Sequence, residues 1–271
     1  DQSGEVNFGP EALLDVDVIL LRWFNNWLKG SGEFAGEPKI RHFSLFENRW
    51  HAANEWPSGT EAAFYLHSRG RANSRKGDGA LSASPPSEGR CDVFVHDPEV
   101  PVAAPGGSGA LSGCFNQAAI EMGNNVLVYT TEPLRGAVDV FGSPHVRLYC
   151  SASAKSTDFT AKLVRVRPDG RADFVCIGIA RSDFLFEKGF TPGAVHCWEF
   201  ELEPTSCRFD AGDCIRLEIA SSAFPLYDRN PGSGVPSCRA TSWDWKRSTQ
   251  SVYHDSARPS ALYLPVRSET Q

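Results

Sequence analysis

The sequence predicts a mostly β protein, a β-sandwich that follows one amphipathic helix. Apolar residues between Pro10 and Lys29 recur at spacings of three and four, which is the period of a helix face. After Pro38 the chain consists of short strand-like segments separated by clusters of Gly, Pro, Asn, Asp and Ser. Two of these segments, residues 198–203 and 215–219, alternate apolar and charged side chains as a half-exposed strand does.

The predicted helix has boundaries of the usual chemistry, with Pro10 early and Gly30 just past its end. Its apolar face carries Trp23, Phe24 and Trp27, which is more apolar area than one helix on a small sandwich ordinarily needs. We therefore expect this helix to pack on something large, as the last helix of a domain that precedes this sequence.

Besides the two alternating segments, eight further stretches have the composition of strands. They are Ile40–Phe46, Ala63–His67, Asp92–His96, Val126–Thr130, Val146–Ser151, Thr160–Arg167, Phe174–Ala180 and Leu262–Val266. About ten strands in a stretch of this length are typical of a single sandwich. In the segment 215–219, the polar residues Arg216 and Glu218 are expected on a solvated face.

Composition excludes several classes of function. The net charge of −6, with 41% hydrophobic and 22% charged residues, is that of an ordinary globular protein and gives no basic surface for a nucleic acid or an anionic membrane. Apolar runs such as Val18–Leu21 are far too short to span a bilayer. Because the chain begins at Asp1 and its only methionine is Met122, we expect it to be a piece of a longer polypeptide.

The cysteines occur singly and form neither C-x-x-C pairs nor zinc-binding spacings with histidine. They are Cys91, Cys114, Cys150, Cys176, Cys197, Cys207, Cys214 and Cys238. Because Cys150 and Cys176 lie within apolar strand patterns, we interpret the set as reduced, structural thiols. The sequence thus predicts no metal and no cofactor, and we favour a cytoplasmic location, although cysteine usage does not decide the compartment.

The sequence offers no catalytic residue. The Gly106–Ala110 and Gly232–Gly234 strings lie in loops without the following helix that a nucleophile elbow requires. His254, Asp255 and Ser256 include the three residue types of a hydrolase triad, but adjacent side chains on an extended segment point to opposite faces. We therefore predict no catalytic, metal-binding or cofactor-binding residue in this chain.

Two groups of residues have both a binding and a structural interpretation. The tryptophans Trp50, Trp56, Trp243 and Trp245 could stack on a sugar, but partial burial at a domain seam is the interpretation we favour. The polar residues Asp158, Asp228 and Asn230 are suited to satisfying loop backbone groups, and we interpret them as architectural.

Nine ordered strings together resemble the CocE/NonD family of serine hydrolases, which includes cocaine esterase, α-amino-acid ester hydrolases and, more distantly, Xaa-Pro dipeptidyl-peptidases. The strings are Leu21–Gly30, Glu47–Trp50, Glu55–Pro57, Phe64–Ser68, Val126–Leu134, Thr157–Val164, Arg167–Arg171, Ser221–Pro225 and Tyr227–Asn230. They extend along almost the whole chain. One departure stands at Gly113–Ala119, where the family usually has a Gly-Pro-x-Asp-Gln-Arg-Pro type of stretch.

The resemblance implies a jelly roll similar to galactose-binding domains, preceded by the end of an α/β-hydrolase domain. On this basis residues 1–58 are the hydrolase remnant and residues 59–271 the jelly roll. The helix after Pro10 would be the last hydrolase helix, and Ile40–Phe46 its last strand. The family's nucleophile, acid and histidine would then all precede Asp1.

The implied function is that of the C-terminal part of a hydrolase that cleaves ester or amide acyl bonds. Its partners would be an upstream hydrolase domain in the same polypeptide and a small acyl ester, amide or peptide substrate. The resemblance is also compatible with a homo-oligomer. The chain alone is expected to be inert and to aggregate through its apolar helix. Two alternatives stay open, an Xaa-Pro dipeptidyl-peptidase of the same superfamily and a stand-alone carbohydrate-binding module.

Overall fold

The structure is a computed structural model that describes residues 1–56, 59–109, 111–186 and 189–267. Pro57 of the Glu55–Pro57 string, Ala110 of the Gly106–Ala110 string and the proposed boundary at Ser58 lie outside the described residues. The helices are α1 (Val16–Lys29) and α2 (Ser182–Leu185), with 3-10 turns at Pro10–Ala12, Ile120–Met122, Ser237–Arg239 and Ser242–Asp244.

The strands of the described residues run from Gln2 to Arg267. In chain order they are β1 (Gln2–Ser3), β2 (Val6–Asn7), β3 (Ile40–Ser44), β4 (Arg49–Ala53), β5 (Gly59–His67), β6 (Ala80–Ser82), β7 (Asp92–His96), β8 (Leu127–Thr130), β9 (Val138–Gly142), β10 (His145–Ala152), β11 (Asp158–Val166), β12 (Ala172–Arg181), β13 (His196–Glu201), β14 (Thr205–Phe209), β15 (Cys214–Ala220), β16 (Ser248–Asp255), β17 (Arg258–Pro259) and β18 (Ala261–Arg267). The prediction of a mostly β protein after one helix is confirmed.

The strands form two packed layers that are connected at one edge. One layer has the order β12-β11-β15-β8, and the other contains β5-β18-β10-β16 with β13 paired to β10. A single parallel bridge between Ala80 and Thr130 connects them through β6 and β8. The layers meet around Trp198 and Phe159, which are fully buried with their rings 4.8 Å apart. This contact lies in the core of the sandwich.

The helix begins later than the sequence predicts. Residues Pro10–Ala12 form a separate 3-10 turn, and α1 begins at Val16. Asp15 sets this start, because its side chain accepts a hydrogen bond from the Val18 amide at 3.1 Å. The predicted end is confirmed, since Gly30 adopts the left-handed conformation that closes a helix.

The strand predicted at Ile40–Phe46 is present but ends at Ser44, and it pairs with β4 in a separate two-stranded hairpin. The strand ends there because Phe46 and Asn48 in the connecting turn both have positive φ, at 71° and 57°. Several strands that carry polar side chains were missed by the sequence analysis, above all β16, whose buried positions include Ser248, Gln250 and His254.

The expectation of a solvated face on β15 is wrong. Arg216 and Glu218 are buried, at 7% and 3% exposure. Glu218 pairs with Lys162 of the neighbouring strand at 2.8 Å, and Arg216 pairs with Glu121 at 2.6 Å. The face is covered because the segment between β7 and β8 folds back over it and contributes Glu121. For β13 the prediction holds, since Trp198 is buried and Glu199 exposed.

Candidate functional site

The apolar face of α1 is uncovered within the described part of the chain. None of its side chains is buried, and Trp27 and Leu28 are 68% and 78% exposed. A contiguous apolar surface of this kind usually marks an interaction site, because water solvates it poorly. The helix therefore presents a contiguous exposed apolar surface.

An apolar groove of about 560 Å³ lies between this helix and the segment that leads into β3, and we call it the helix groove. It is lined by Leu14, Ile19, Arg22, Trp23, Trp27, Phe34, Glu37, Pro38, Lys39, Arg41 and Trp50. One of its sides is held by Arg22, which pairs with Glu37 and donates to the Glu33 carbonyl at 2.9 Å. The groove combines aromatic residues with a few charged ones, as interfaces commonly do.

The first residues of the chain lie against the sandwich. The Glu5 amide donates to the Cys114 carbonyl at 2.8 Å, and Val6 and Phe8 are buried. The Phe8 ring lies 5.8 Å from that of Phe46. The first strand pair is thus fixed to this face of the molecule.

The β3–β4 hairpin is also fastened to the sandwich. The Leu45 amide donates to the Ser206 carbonyl at 2.8 Å, and the Arg208 amide donates to the Leu45 carbonyl at 2.9 Å. His42 Nδ1 lies 2.9 Å from Ser206 Oγ, and burial lowers the pKa of His42. The hairpin therefore has a fixed position relative to β14.

Between these parts is a cleft of about 370 Å³, which we call the seam cleft. It is lined by Ser3, Phe8, Phe43, Leu45, Gly107, Ser108, Gly113, Cys114, Phe174, Val175, Cys176, Glu203, Pro204, Thr205 and Ser206. Its walls combine three phenylalanines and a few aliphatic side chains with small polar residues and glycines, and Glu203 is the charged residue in this lining. An adjoining cavity of about 280 Å³ shares Ser3, Phe8 and Phe43 with it and reaches Asp1.

The residues Asp158, Asp228 and Asn230 lie together beside a further groove of about 540 Å³. Asn230 Nδ2 donates to Asp158 Oδ1 at 2.7 Å, and its Oδ1 accepts from the Gly232 amide at 2.8 Å. Asp228 pairs with Arg181. Burial raises the pKa of Asp158 to about 7, although Arg181 and Asn230 oppose the shift. These contacts agree with the architectural interpretation.

A half-buried serine meets a buried histidine and a buried aspartate elsewhere in the sandwich, which the sequence analysis missed because the three residues come from separate segments. Asp92 Oδ2 lies 2.8 Å from His254 Nε2 and accepts from Ser68 Oγ at 2.6 Å. The same His254 nitrogen faces Ser68 Oγ at 3.2 Å. A catalytic histidine uses one nitrogen for the acid and the other for the serine, so this arrangement cannot activate Ser68. It is a structural cluster.

The neighbours of His254 in sequence do not form a triad either, since Asp255 pairs with Arg258 at 2.6 Å.

The four tryptophans are spread over the molecule. Trp50 and Trp245 are half-buried, as expected, and Trp50 lines the helix groove. Trp56 and Trp243 are 62% and 88% exposed, so the expectation of partial burial is wrong for these two.

The cysteines of the described residues are free in the structure, with Cys150 and Cys176 buried as predicted. Burial raises the pKa of Cys114 and of Cys207 to about 12 in each case, which makes these thiols poor nucleophiles.

No helix in the described ranges is long and apolar enough to cross a membrane.

Comparison with known proteins identifies what this arrangement resembles. Residues 32–263 match the family described as the X-Pro dipeptidyl-peptidase C-terminal non-catalytic domain. Cocaine esterase of Rhodococcus sp. (strain MB1 Bresler) is 34% identical over 280 residues, which cover 98% of this chain and 49% of that protein. The chain thus spans about half the length of this relative.

Two solved structures share the fold over 92% of this chain. One is an aminopeptidase from the marine sediment archaeon Thaumarchaeota archaeon, with a TM-score of 0.77, 26% identity and 43% of that chain covered. The other is an α-amino acid ester hydrolase, with a TM-score of 0.76, 27% identity and 44% of that chain covered. In both, the matched region is less than half of the chain.

Proposed function

The chain belongs to the X-Pro dipeptidyl-peptidase C-terminal non-catalytic domain family and is the C-terminal portion of a CocE/NonD-type hydrolase, and from this premise we propose its role. It completes a serine hydrolase that cleaves ester or amide acyl bonds through an acyl-enzyme intermediate. The catalytic residues lie in an upstream α/β-hydrolase domain of the same polypeptide. This chain supports that domain and walls the substrate pocket.

The observation that carries the proposal is the uncovered face of α1. A helix with Trp27 and Leu28 largely exposed is costly in water, since each large apolar side chain gains about 1.5–3 kcal/mol on burial. This chain matches about half of its relative cocaine esterase. In the proposal, the other half corresponds to an upstream domain that covers the apolar face of α1. The helix groove is the docking surface, and its occupant is the upstream domain.

The seam cleft supports the second part of the proposal. Asp1 lies at the adjoining cavity, so an upstream domain would join the chain at the rim of the seam cleft. The volume of this cleft is within the range of small-molecule sites. The loop that carries Ser108 and Gly113 would thereby form the sandwich side of the substrate pocket.

The division into residues 1–58 and 59–271 remains part of this proposal. It is supported by β5, which begins at Gly59 and joins the large sheet, while β3 and β4 form a sheet of their own among the described strands. The hydrogen bonds of Leu45 with Ser206 and Arg208 hold the hairpin against β14.

Peptidase activity is a second candidate because the matched family takes its name from X-Pro dipeptidyl-peptidases and one structural relative is an aminopeptidase. The two candidates share the acyl-enzyme chemistry and differ in the bond that is cleaved. An ester and an X-Pro p-nitroanilide as paired substrates distinguish them.

The test compares this chain with the polypeptide that also contains the upstream half. We expect a fluorophosphonate probe to label a serine in the longer polypeptide, upstream of Asp1, and to leave this chain unlabelled. The longer polypeptide should hydrolyse p-nitrophenyl butyrate faster than a boiled control. Labelling of this chain when it is produced alone would overturn the proposal. So would a monodisperse chain that binds glycans and does not increase the hydrolytic rate of the upstream half.

A further inference from the structure

Glu203 stands out in the seam cleft because of its charge. The other lining residues, among them Phe8, Phe43 and Phe174, are apolar or neutral. No lysine, arginine or histidine of the described residues forms an ion pair with the Glu203 carboxylate. Its side-chain contact is with a neutral group, since Ser108 Oγ donates to Glu203 Oε1 at 3.1 Å. The Glu203 carboxylate is thus a half-buried negative charge at an aromatic-lined cleft, with a hydroxyl as its hydrogen-bond partner and no paired cation among the described residues.

The position of Glu203 is fixed by the backbone around it. Its amide donates to the Ile177 carbonyl at 3.0 Å, and the preceding Leu202 is buried at 2% exposure. Gly178 permits this close approach, since a Cβ there would lie 2.3 Å from the Glu201 carbonyl oxygen. The backbone of Glu203 is thus held against β12, and Ser108 orients the carboxylate at the cleft, which suits a recognition role more than a mobile surface charge does.

The chemistry of the cleft defines the ligand that it would take. Aromatic side chains favour an apolar body, and a carboxylate without a paired cation favours a cation that can donate hydrogen bonds to it. A protonated amine with an aromatic or aliphatic body satisfies both requirements. The volume of about 370 Å³ is within the range of small-molecule sites.

We infer that Glu203 is a specificity-determining residue, which pairs with a protonated amine of the substrate while the apolar part of that substrate packs on Phe8, Phe43 and Phe174. The inference rests on the proposed function, because the cleft becomes part of a substrate pocket only when the upstream domain is present. No bond is made or broken by Glu203. Its effect is on substrate binding.

The experiment uses the longer polypeptide with p-nitrophenyl butyrate as a neutral substrate. Two competitive inhibitors of similar size are compared, 2-phenylethylamine, which is protonated at pH 7, and 2-phenylethanol, which is neutral. We expect the amine to inhibit about tenfold more strongly than the alcohol, as one charge-assisted contact allows. Glu203→Gln should abolish this difference by weakening the amine about tenfold, while inhibition by the alcohol stays the same.

The matched control is Glu201→Gln, which removes the same charge from an exposed position two residues away and should preserve both the activity and the preference for the amine. Equal inhibition by both compounds in the unmodified enzyme would overturn the inference. It would also be overturned if Glu203→Gln kept the amine preference, or if both variants lost it. Failure of the unmodified polypeptide to hydrolyse the neutral ester would instead refute the proposed function and the inference with it.

Discussion

Arg216 Nη1 lies 2.6 Å from Glu121 Oε2, in a part of the sandwich where both side chains are buried. Arg75 Nη1 lies 3.0 Å from the same Glu121 oxygen, so one carboxylate joins two cations. On the adjacent strand, Lys162 Nζ donates to Gln117 Oε1 at 2.8 Å. This cluster fastens the segment between β7 and β8 to the sheet, and the same segment contains the loop that lines the seam cleft.

Removal of the central carboxylate should therefore destabilise the fold. Glu121→Gln leaves Arg75 and Arg216 without this counter-charge, and breaking a buried pair costs about 3–5 kcal/mol. Urea unfolding followed by tryptophan fluorescence measures the change in the free energy of unfolding. Glu132→Gln, at an exposed position, is the control and should change it by less than about 0.5 kcal/mol. Equal stability of the two variants would show that the cluster contributes nothing.

The exposed face of α1 should control aggregation of this chain when it is produced alone. The double variant Trp27→Glu, Leu28→Lys removes two of the most exposed apolar side chains of the helix. We expect it to be more monodisperse in light scattering after gel filtration, whereas the control Lys29→Gln behaves as the unmodified chain. In the longer polypeptide the same double variant should lower the melting temperature, because the helix would no longer dock. An unchanged melting temperature would contradict docking through this face.

Asp158 should make stability depend on pH. Burial raises the pKa of Asp158 from the ordinary 3.8 to about 7, so the folded state binds its proton more tightly than the unfolded state does. The contribution to stability is therefore complete below about pH 4 and is lost as the pH rises to about 7. The shift corresponds to about 4 kcal/mol by linkage.

Asp158→Asn should remove this dependence. As the pH rises from about 3.8 to about 7, the free energy of unfolding of the variant should therefore increase relative to that of the unmodified chain. Thermal unfolding at a series of pH values measures the difference. Asp17→Asn, at an exposed position of α1, should leave the slope as it is. A constant difference between Asp158→Asn and the unmodified chain over this range would refute the assignment.

The cysteines should differ in reactivity according to their exposure. Cys238 is exposed and should react first with a thiol reagent such as dithionitrobenzoate. Cys197 is also exposed, but partial burial of its thiol raises its pKa, so it should react more slowly at neutral pH. The buried Cys114, Cys150 and Cys207 should react only in denaturant. Mass spectrometry after timed labelling identifies each site, and rapid labelling of Cys150 in the folded chain would contradict the packing.

Local sequence signals determined the parts of the fold that depend on neighbouring residues. The alternation of Trp198 and Glu199 predicted the buried and exposed faces of β13, and Gly30 predicted the end of α1. Side chains alternate between the two faces of a strand and recur every three or four residues on one face of a helix. Because these periods follow from local backbone geometry, a single sequence suffices to find them. The same patterns failed for β16, because many of the side chains that it buries are polar.

The family resemblance is likewise a property of the sequence, since strings such as Tyr227–Asn230 keep their order along the chain. Contacts between distant segments were decided only by the tertiary structure. Arg216 is buried because Glu121, far from it in sequence, folds back over β15. Glu203 lines the same cleft as Phe8 because the first strand pair packs against the sandwich. Charge burial and cavity shape depend on which surfaces cover one another, and that is settled by packing and not by local periodicity.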